Sequence, residues 1–199
     1  MGNSAAPGYD IVVIGASTGG IKALRTILST LPADLLATVF IVLHIGNSPR
    51  ALHDTLSKCC SMQFRHARDG QAFTKGQVYV APADHHMILT RGQIRLNREP
   101  KEHFTRPAAN PLFRSAATVY GARVIGVVLT GGDSDGAEGM RAITEHGGIG
   151  IVQDPAEAAV ADMPEHALEG GAPQYCLPEH AIGPLLIRLI QNPVGNSCV

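Results

Sequence analysis

Three residues far apart in the chain could together attack a carbonyl and move its protons: Ser17, His44 and Asp135. A serine hydroxyl is a poor nucleophile at neutral pH until a base takes its proton. Imidazole suits that task, and a buried carboxylate selects the imidazole tautomer and stabilises its cation. What links the three is their place in the pattern. Ser17 follows the apolar run Asp10-Ile11-Val12-Val13-Ile14, His44 ends Thr38-Val39-Phe40-Ile41-Val42-Leu43, and Asp135 lies just beyond Val124-Ile125-Gly126-Val127-Val128-Leu129-Thr130. In an open parallel sheet the carboxyl ends of the strands share one rim, where reactive groups gather.

Each residue also has a plainer reading. Gly15-Ala16-Ser17-Thr18-Gly19 fits the G-x-S-x-G nucleophile elbow, whose small flanking residues let the chain turn tightly around an exposed hydroxyl. Ser17 is equally suited to cap the helix that follows, and Gly15, Gly19 and Gly20 after a strand approximate a phosphate-cradling loop. His44 fits a structural histidine at a strand end, and Asp135 before Gly136 fits a turn or helix cap. The coincidence of three strand-end placements favours chemistry.

The elements that must position these groups alternate along the chain. Strands are expected at 9–14, 38–43, 62–66, 78–82, 123–130, 149–152 and 174–177, the first of them apolar throughout as in a sheet covered on both faces. Ile21, Leu24, Ile27, Leu28 and Leu31 recur at helical spacing until Pro32. Further helices are expected over 48–60, from Asn110-Pro111, through Met140 and Ile143 to Gly147-Gly148, near 163–168 and over 178–191. Residues 86–90 and 93–97 alternate around Arg91-Gly92 as an antiparallel hairpin at one edge, and 98–107 reads as an exposed loop. The pattern predicts a doubly wound, mainly parallel α/β sheet in three α/β/α layers. Residues 1–8 read as a disordered lead-in, 9–192 as a single catalytic-type domain and 193–199 as a loose tail.

Composition narrows the possible partners. With 199 residues, 45% of them hydrophobic, and a formal net charge of −1, the chain suits one well-filled domain and offers no basic stripe for nucleic acid. No run reaches membrane-spanning length and no secretory leader opens the chain, so no membrane insertion and a cytoplasmic location are expected. Cysteines 59, 60, 176 and 198 lack the spacing of a zinc site or a disulfide framework. His85 and His86 beside Asp84 suggest a metal site only weakly, because adjacent strand residues face opposite ways and no third ligand is spaced for it. No cofactor and no metal are expected.

Five ordered blocks carry a resemblance: Val13 to Gly20, Val42-Leu43-His44, Ala81-Pro82 with His85-His86-Met87, Pro111 to Ala116, and Leu129 to Ala137. From about residue 9 to 190 the chain is similar to the catalytic domain of chemotaxis protein-glutamate methylesterases, the CheB family. The resemblance implies a Ser17, His44, Asp135 triad that hydrolyses γ-glutamyl methyl esters on chemoreceptors, releasing methanol, with receptor glutamine deamidation as a second activity. It implies that the Thr18 N–H and a backbone N–H near Gly132 hold the oxyanion.

Two departures from the family bear on these expectations. Where the family reads Thr-Gly-Met-Gly-x-Asp-Gly, this chain has Gly132 and Asp133 in place of Met and Gly, so a second carboxylate stands near the rim and, in a rebuilt turn, could take the role assigned to Asp135. The phosphoacceptor receiver domain that usually precedes the catalytic domain is not represented in the roughly eight residues before the first strand. An uncovered site, constitutive or set by a separate regulatory partner, is therefore expected. Two other functions remain open at this stage: a non-catalytic anion- or nucleotide-binding module on the same fold, and a small-molecule carboxylesterase.

Overall fold

A computed structural model describes residues 9–44 and 55–192. Seven strands form one parallel sheet in the order β3-β4-β2-β1-β7-β8-β9. They are β1 (Ile11–Ala16), β2 (Thr38–Leu43), β3 (Gln63–His66), β4 (Gln77–Val80), β7 (Val124–Val128), β8 (Ile149–Gln153) and β9 (Tyr175–Leu177). The chain builds outward from β1 through β2 to β4 and β3, then returns to the other side of β1 with β7. The order of the strands therefore reverses beside β1, and a crevice opens there beyond the carboxyl ends.

Strands β1 and β2 are buried at every position, so their side chains feed two cores. On one face Val12, Ile14 and Ala16 of β1 join Val39, Ile41 and Leu43 of β2 beneath α1 (Gly20–Leu28) and α5 (Glu179–Gln191). On the other, Ile11, Val13, Phe40 and Val42 join α2 (Ala109–Tyr120), α3 (Ala137–Glu145) and α4 (Asp162–Gly171). Those two apolar layers give the expected three-layer α/β/α arrangement.

Several boundaries differ from the sequence expectation for identifiable reasons. Helix α1 ends at Leu28 because Ser29, Thr30 and Leu31 fold into turns, although Leu31 stays in the core. Strand β7 ends at Val128, and the Thr130 N–H is taken by the buried Gln153 side chain. The hairpin, β5 (His86–Thr90) and β6 (Gln93–Asn97), forms its own two-stranded sheet, and its Met87, Leu89 and Ile94 pack into the core beneath α2. Of the helix expected over 48–60, residues 45–54 lie outside the described residues, and 55–57 are helical.

Candidate active site

The ladder hydrogen bonds continue past the strands and align three strand ends. His44 N–H donates to the Ala16 carbonyl at 3.0 Å, and Ser17 N–H donates to the Thr130 carbonyl at 2.9 Å. Ser17 and His44 consequently line one cleft of about 500 Å³, with Thr18, Gly19, Ile21, Lys22, Arg25 and Leu43.

The turn at Ser17 is made by a different residue from the one a nucleophile elbow strains. Gly20 N–H closes onto the Ser17 carbonyl at 2.9 Å, and Gly19 takes φ 81° and ψ −11°. Those values place Gly19 at the third position of a type II turn, where glycine is favoured. Ser17 is not among the residues of positive φ. Gly19 is the N-cap of α1, with no side-chain cap, so Ser17 does not serve that role. Among the described residues the Ser17 hydroxyl has no hydrogen-bond partner, and the N–H groups of Thr18 and Gly19 have none either. Two unpaired amides at a helix N-terminus favour an incoming oxygen that carries negative charge.

Asp135 is fully buried and caps a helix far away in sequence rather than its own. Its Oδ2 accepts from the Ala109 N–H and its Oδ1 from the Asn110 N–H at 3.0 Å, the free donors at the start of α2. Its Oδ2 also lies 2.8 Å from His44 Nε2. Burial by itself would raise this carboxyl's pKa. The bonds from His44, Ala109 and Asn110 outweigh it, and the net shift is downward, so the group stays ionised.

The ring orientation of His44 follows from its partners. An ionised carboxylate only accepts, so Nε2 must carry the proton. Thr105 Oγ1 lies 3.3 Å from the same nitrogen while donating to the Glu102 carbonyl at 3.0 Å, which leaves its lone pairs for the imidazole. Nδ1 therefore carries the lone pair. It is buried and has no hydrogen-bond partner among the described residues, a state that costs on the order of 1–3 kcal/mol unless a donor is supplied.

Asp133, the extra carboxylate, does not take the place of Asp135. It sits at φ 75° and accepts the Asp135 N–H at 2.7 Å, bracing the turn that aims Asp135 inward. Gly132, expected as an oxyanion donor, is not among the residues lining the cleft, whereas Gly19 is. Sequence reasoning also missed Thr105, Ala109, Asn110 and the supporting His103. His103 touches Ser134 Oγ at 3.2 Å and Asn110 Nδ2 at 3.1 Å, and Asn110 Oδ1 accepts the N–H groups of Gly136 and Gly139. The Asn110-Pro111 helix start was the available signal, since such a start offers donors to an anion.

Both ring nitrogens of His86 are engaged, by the Pro100 carbonyl and the Ala108 N–H, and His85 is held by Ala83 and Arg98. Among the described residues no group of three His, Cys, Asp or Glu side chains is placed to hold a metal. No helix among them is long and apolar enough to cross a membrane.

An imidazole held by a buried carboxylate, in a cleft with a free serine hydroxyl at the switch point of a parallel sheet, is the equipment of a serine-dependent ester hydrolase. The chain belongs to the CheB methylesterase family, whose model matches residues 12–186. A Leptospira interrogans relative, provisionally named protein-glutamate methylesterase/protein-glutamine glutaminase, is 40% identical over 92% of this chain and 96% of its own length. A Pyrococcus abyssi relative of the same name is 37% identical over 96% of this chain, which spans 53% of that relative. The crystal structure of the Thermotoga maritima CheB methylesterase catalytic domain matches with a TM-score of 0.89 and 32% identity, over 92% of this chain and 100% of that one.

Proposed function

We propose that this chain hydrolyses γ-glutamyl methyl esters on chemoreceptor proteins, with Ser17 as nucleophile, His44 as base and Asp135 as the group that holds the imidazole. One observation supports the assignment above the others: His44 Nε2 is committed to Asp135, while the buried Nδ1 has no partner among the described residues and His44 shares a cleft with Ser17. In the first half of the reaction Nδ1 removes the hydroxyl proton as Ser17 Oγ bonds to the ester carbon. The carbonyl oxygen gains the electron pair and is held by the Thr18 and Gly19 N–H groups. Each such donor is typically worth about 100- to 1000-fold in rate. The tetrahedral intermediate then collapses, and methoxide leaves with the proton from Nδ1 as methanol. In the second half Nδ1 deprotonates water, whose oxygen bonds to the acyl carbon, and the Ser17–acyl bond breaks as Nδ1 returns that proton to Ser17 Oγ, leaving the receptor's glutamate side chain.

Deamidation of glutamine is the same sequence with ammonia as the leaving group, and the relatives' names pair the two activities. Replacement of Ser17 by Ala tests the assignment. Methanol release from methylated receptor should fall at least about a thousandfold with thermal unfolding unchanged, and an organophosphonate probe should label Ser17 alone. A fully active Ser17→Ala variant would overturn it.

A further inference from the structure

The turn that carries Ser17 has two forms open to it. Ser17, Thr18, Gly19 and Gly20 fill its four positions, and the Gly20 N–H closes onto the Ser17 carbonyl at 2.9 Å. Type I and type II turns close with the same bond and differ by about half a rotation of the central peptide, here Thr18–Gly19. A side chain at the third position would disfavour type II, but glycine takes either sign of φ and leaves both forms open. The φ of 81° at Gly19 is the type II form. Chemistry depends on the choice. A trans peptide points its C=O and its N–H in opposite directions, so one form offers the cleft that Gly19 lines an N–H, and the other offers it the Thr18 carbonyl.

One buried side chain holds the turn in its observed form. Thr130 is 2% exposed and stands just beyond β7. Its carbonyl accepts the Ser17 N–H at 2.9 Å and its hydroxyl donates to the Thr18 carbonyl at 2.9 Å, so a single residue grips the turn at two points. The hydroxyl has one proton and two acceptors within reach. The Val160 carbonyl, at 3.1 Å, already accepts the Gly131 N–H, whereas the Thr18 carbonyl has no other donor among the described residues. The Val160 N–H in turn donates to the hydroxyl oxygen at 2.9 Å, which completes its bonding. Thr130 is itself fixed, because its N–H is held by the buried Gln153 side chain at 2.9 Å. Gly19 packs directly on it: a Cβ built at Gly19 would stand 3.2 Å from Thr130 Oγ1.

We infer that Thr130 is a positioning residue for the reaction: its hydroxyl selects the type II form of the Ser17–Gly20 turn and so aims the Gly19 N–H, rather than the Thr18 carbonyl, at the oxyanion. With the Thr18 carbonyl drawn onto Thr130, the Gly19 N–H faces the other way, in agreement with its lack of a partner among the described residues. In the type I form a carbonyl oxygen would stand where the substrate oxygen gains negative charge, and an attractive dipole would be exchanged for a repulsive one. Thr130 does this without touching substrate. The inference rests on the serine-hydrolase function proposed above.

Thr130→Val removes the hydroxyl and keeps the shape, and Thr130→Ser keeps the hydroxyl. Turnover is measured on a methylated receptor fragment and on p-nitrophenyl acetate, at a temperature where unfolding curves show each variant folded. Thr130→Val should lower kcat and kcat/KM alike by about 10- to 100-fold on both substrates, short of the full loss of an oxyanion donor, and Thr130→Ser should recover most of that loss. The pH profile of kcat/KM reports the base in the free enzyme and should not shift, because the change does not touch His44 or Asp135. Inhibition by phenylboronic acid, whose tetrahedral adduct on Ser17 puts an oxygen in the same place, should weaken in parallel with kcat. Unchanged kcat and inhibition in Thr130→Val overturn the inference and leave the esterase intact, as does a loss carried by KM or by a shifted pH profile, which would mark a general loosening. If Thr130→Val does not fold, the unaltered protein still decides: with isotope-labelled glycine, the Gly19 amide proton signal should move downfield when phenylboronic acid binds, and a signal that stays in place overturns the inference. Failure of the unaltered protein to turn over either substrate overturns the serine-hydrolase function and the inference together.

Discussion

Replacing Asp135 by Asn probes the geometry most directly, because the amide keeps the shape and cannot satisfy all three donors. The carboxylate accepts from Ala109 and Asn110 through their N–H groups and from His44 Nε2. If the amide oxygen sits at the Oδ2 position, its NH2 faces the Asn110 N–H, and one buried donor is left unpaired. If the amide is reversed, its NH2 faces the Ala109 N–H, and His44 must turn its Nε2 lone pair toward it. The imidazole proton then moves to Nδ1, and the base is blocked. Each unpaired buried donor costs about 1–3 kcal/mol, so Tm should drop by roughly 2–12 °C for a chain of this size. The reversed orientation removes the productive tautomer, an effect of about 10⁴ in kcat where a serine hydrolase has been altered in the same way. The assay is turnover of p-nitrophenyl acetate and of methylated receptor, alongside denaturant unfolding. An Asn variant with more than about a tenth of the original kcat would show that Asp135 does not hold the base, contrary to the reasoning.

Other consequences follow from the same contacts. The Asp135 carboxyl has a native pKa below its ordinary value of 3.8, so its stabilisation is fully present above that value and is lost as pH falls through the lowered native one. The acid side of a urea-midpoint titration should accordingly be shallower in Asp135→Asn than in the unaltered protein. Gly15→Ala would put a methyl 2.7 Å from Ala109 Cβ and push the start of α2 away from Asp135. Unfolding measurements should show a loss of about 1–3 kcal/mol, with kcat reduced alongside. At Asp133, φ 75° suits Gly, and its carboxylate braces Asp135. A β-branched Val there should destabilise by at least about 1 kcal/mol more than Gly, as read from paired thermal melts.

The positions of the groups proposed to react were legible because each stands at or just beyond the end of an apolar run. A one-dimensional pattern reveals such endings, and parallel strands bring them to one rim. Ser17 and His44 were found this way, and the longest run placed Asp135 nearby. The plainer readings of Ser17 and Asp135 as local caps lost to tertiary facts. Gly19 caps α1, and the Asp135 carboxylate reaches across to α2.

By itself the sequence determined the alternating elements, the two-sided burial of the central strands and which side chains arrive at the sheet's carboxyl edge. Only the tertiary structure decided which imidazole nitrogen faces the acid and that Thr105 joins it. It also decided that Asp133 braces rather than replaces Asp135. The physical reason is that periodic burial is written into neighbouring residues. The direction of a hydrogen bond, by contrast, depends on donors and acceptors that meet only after segments tens of residues apart have packed together.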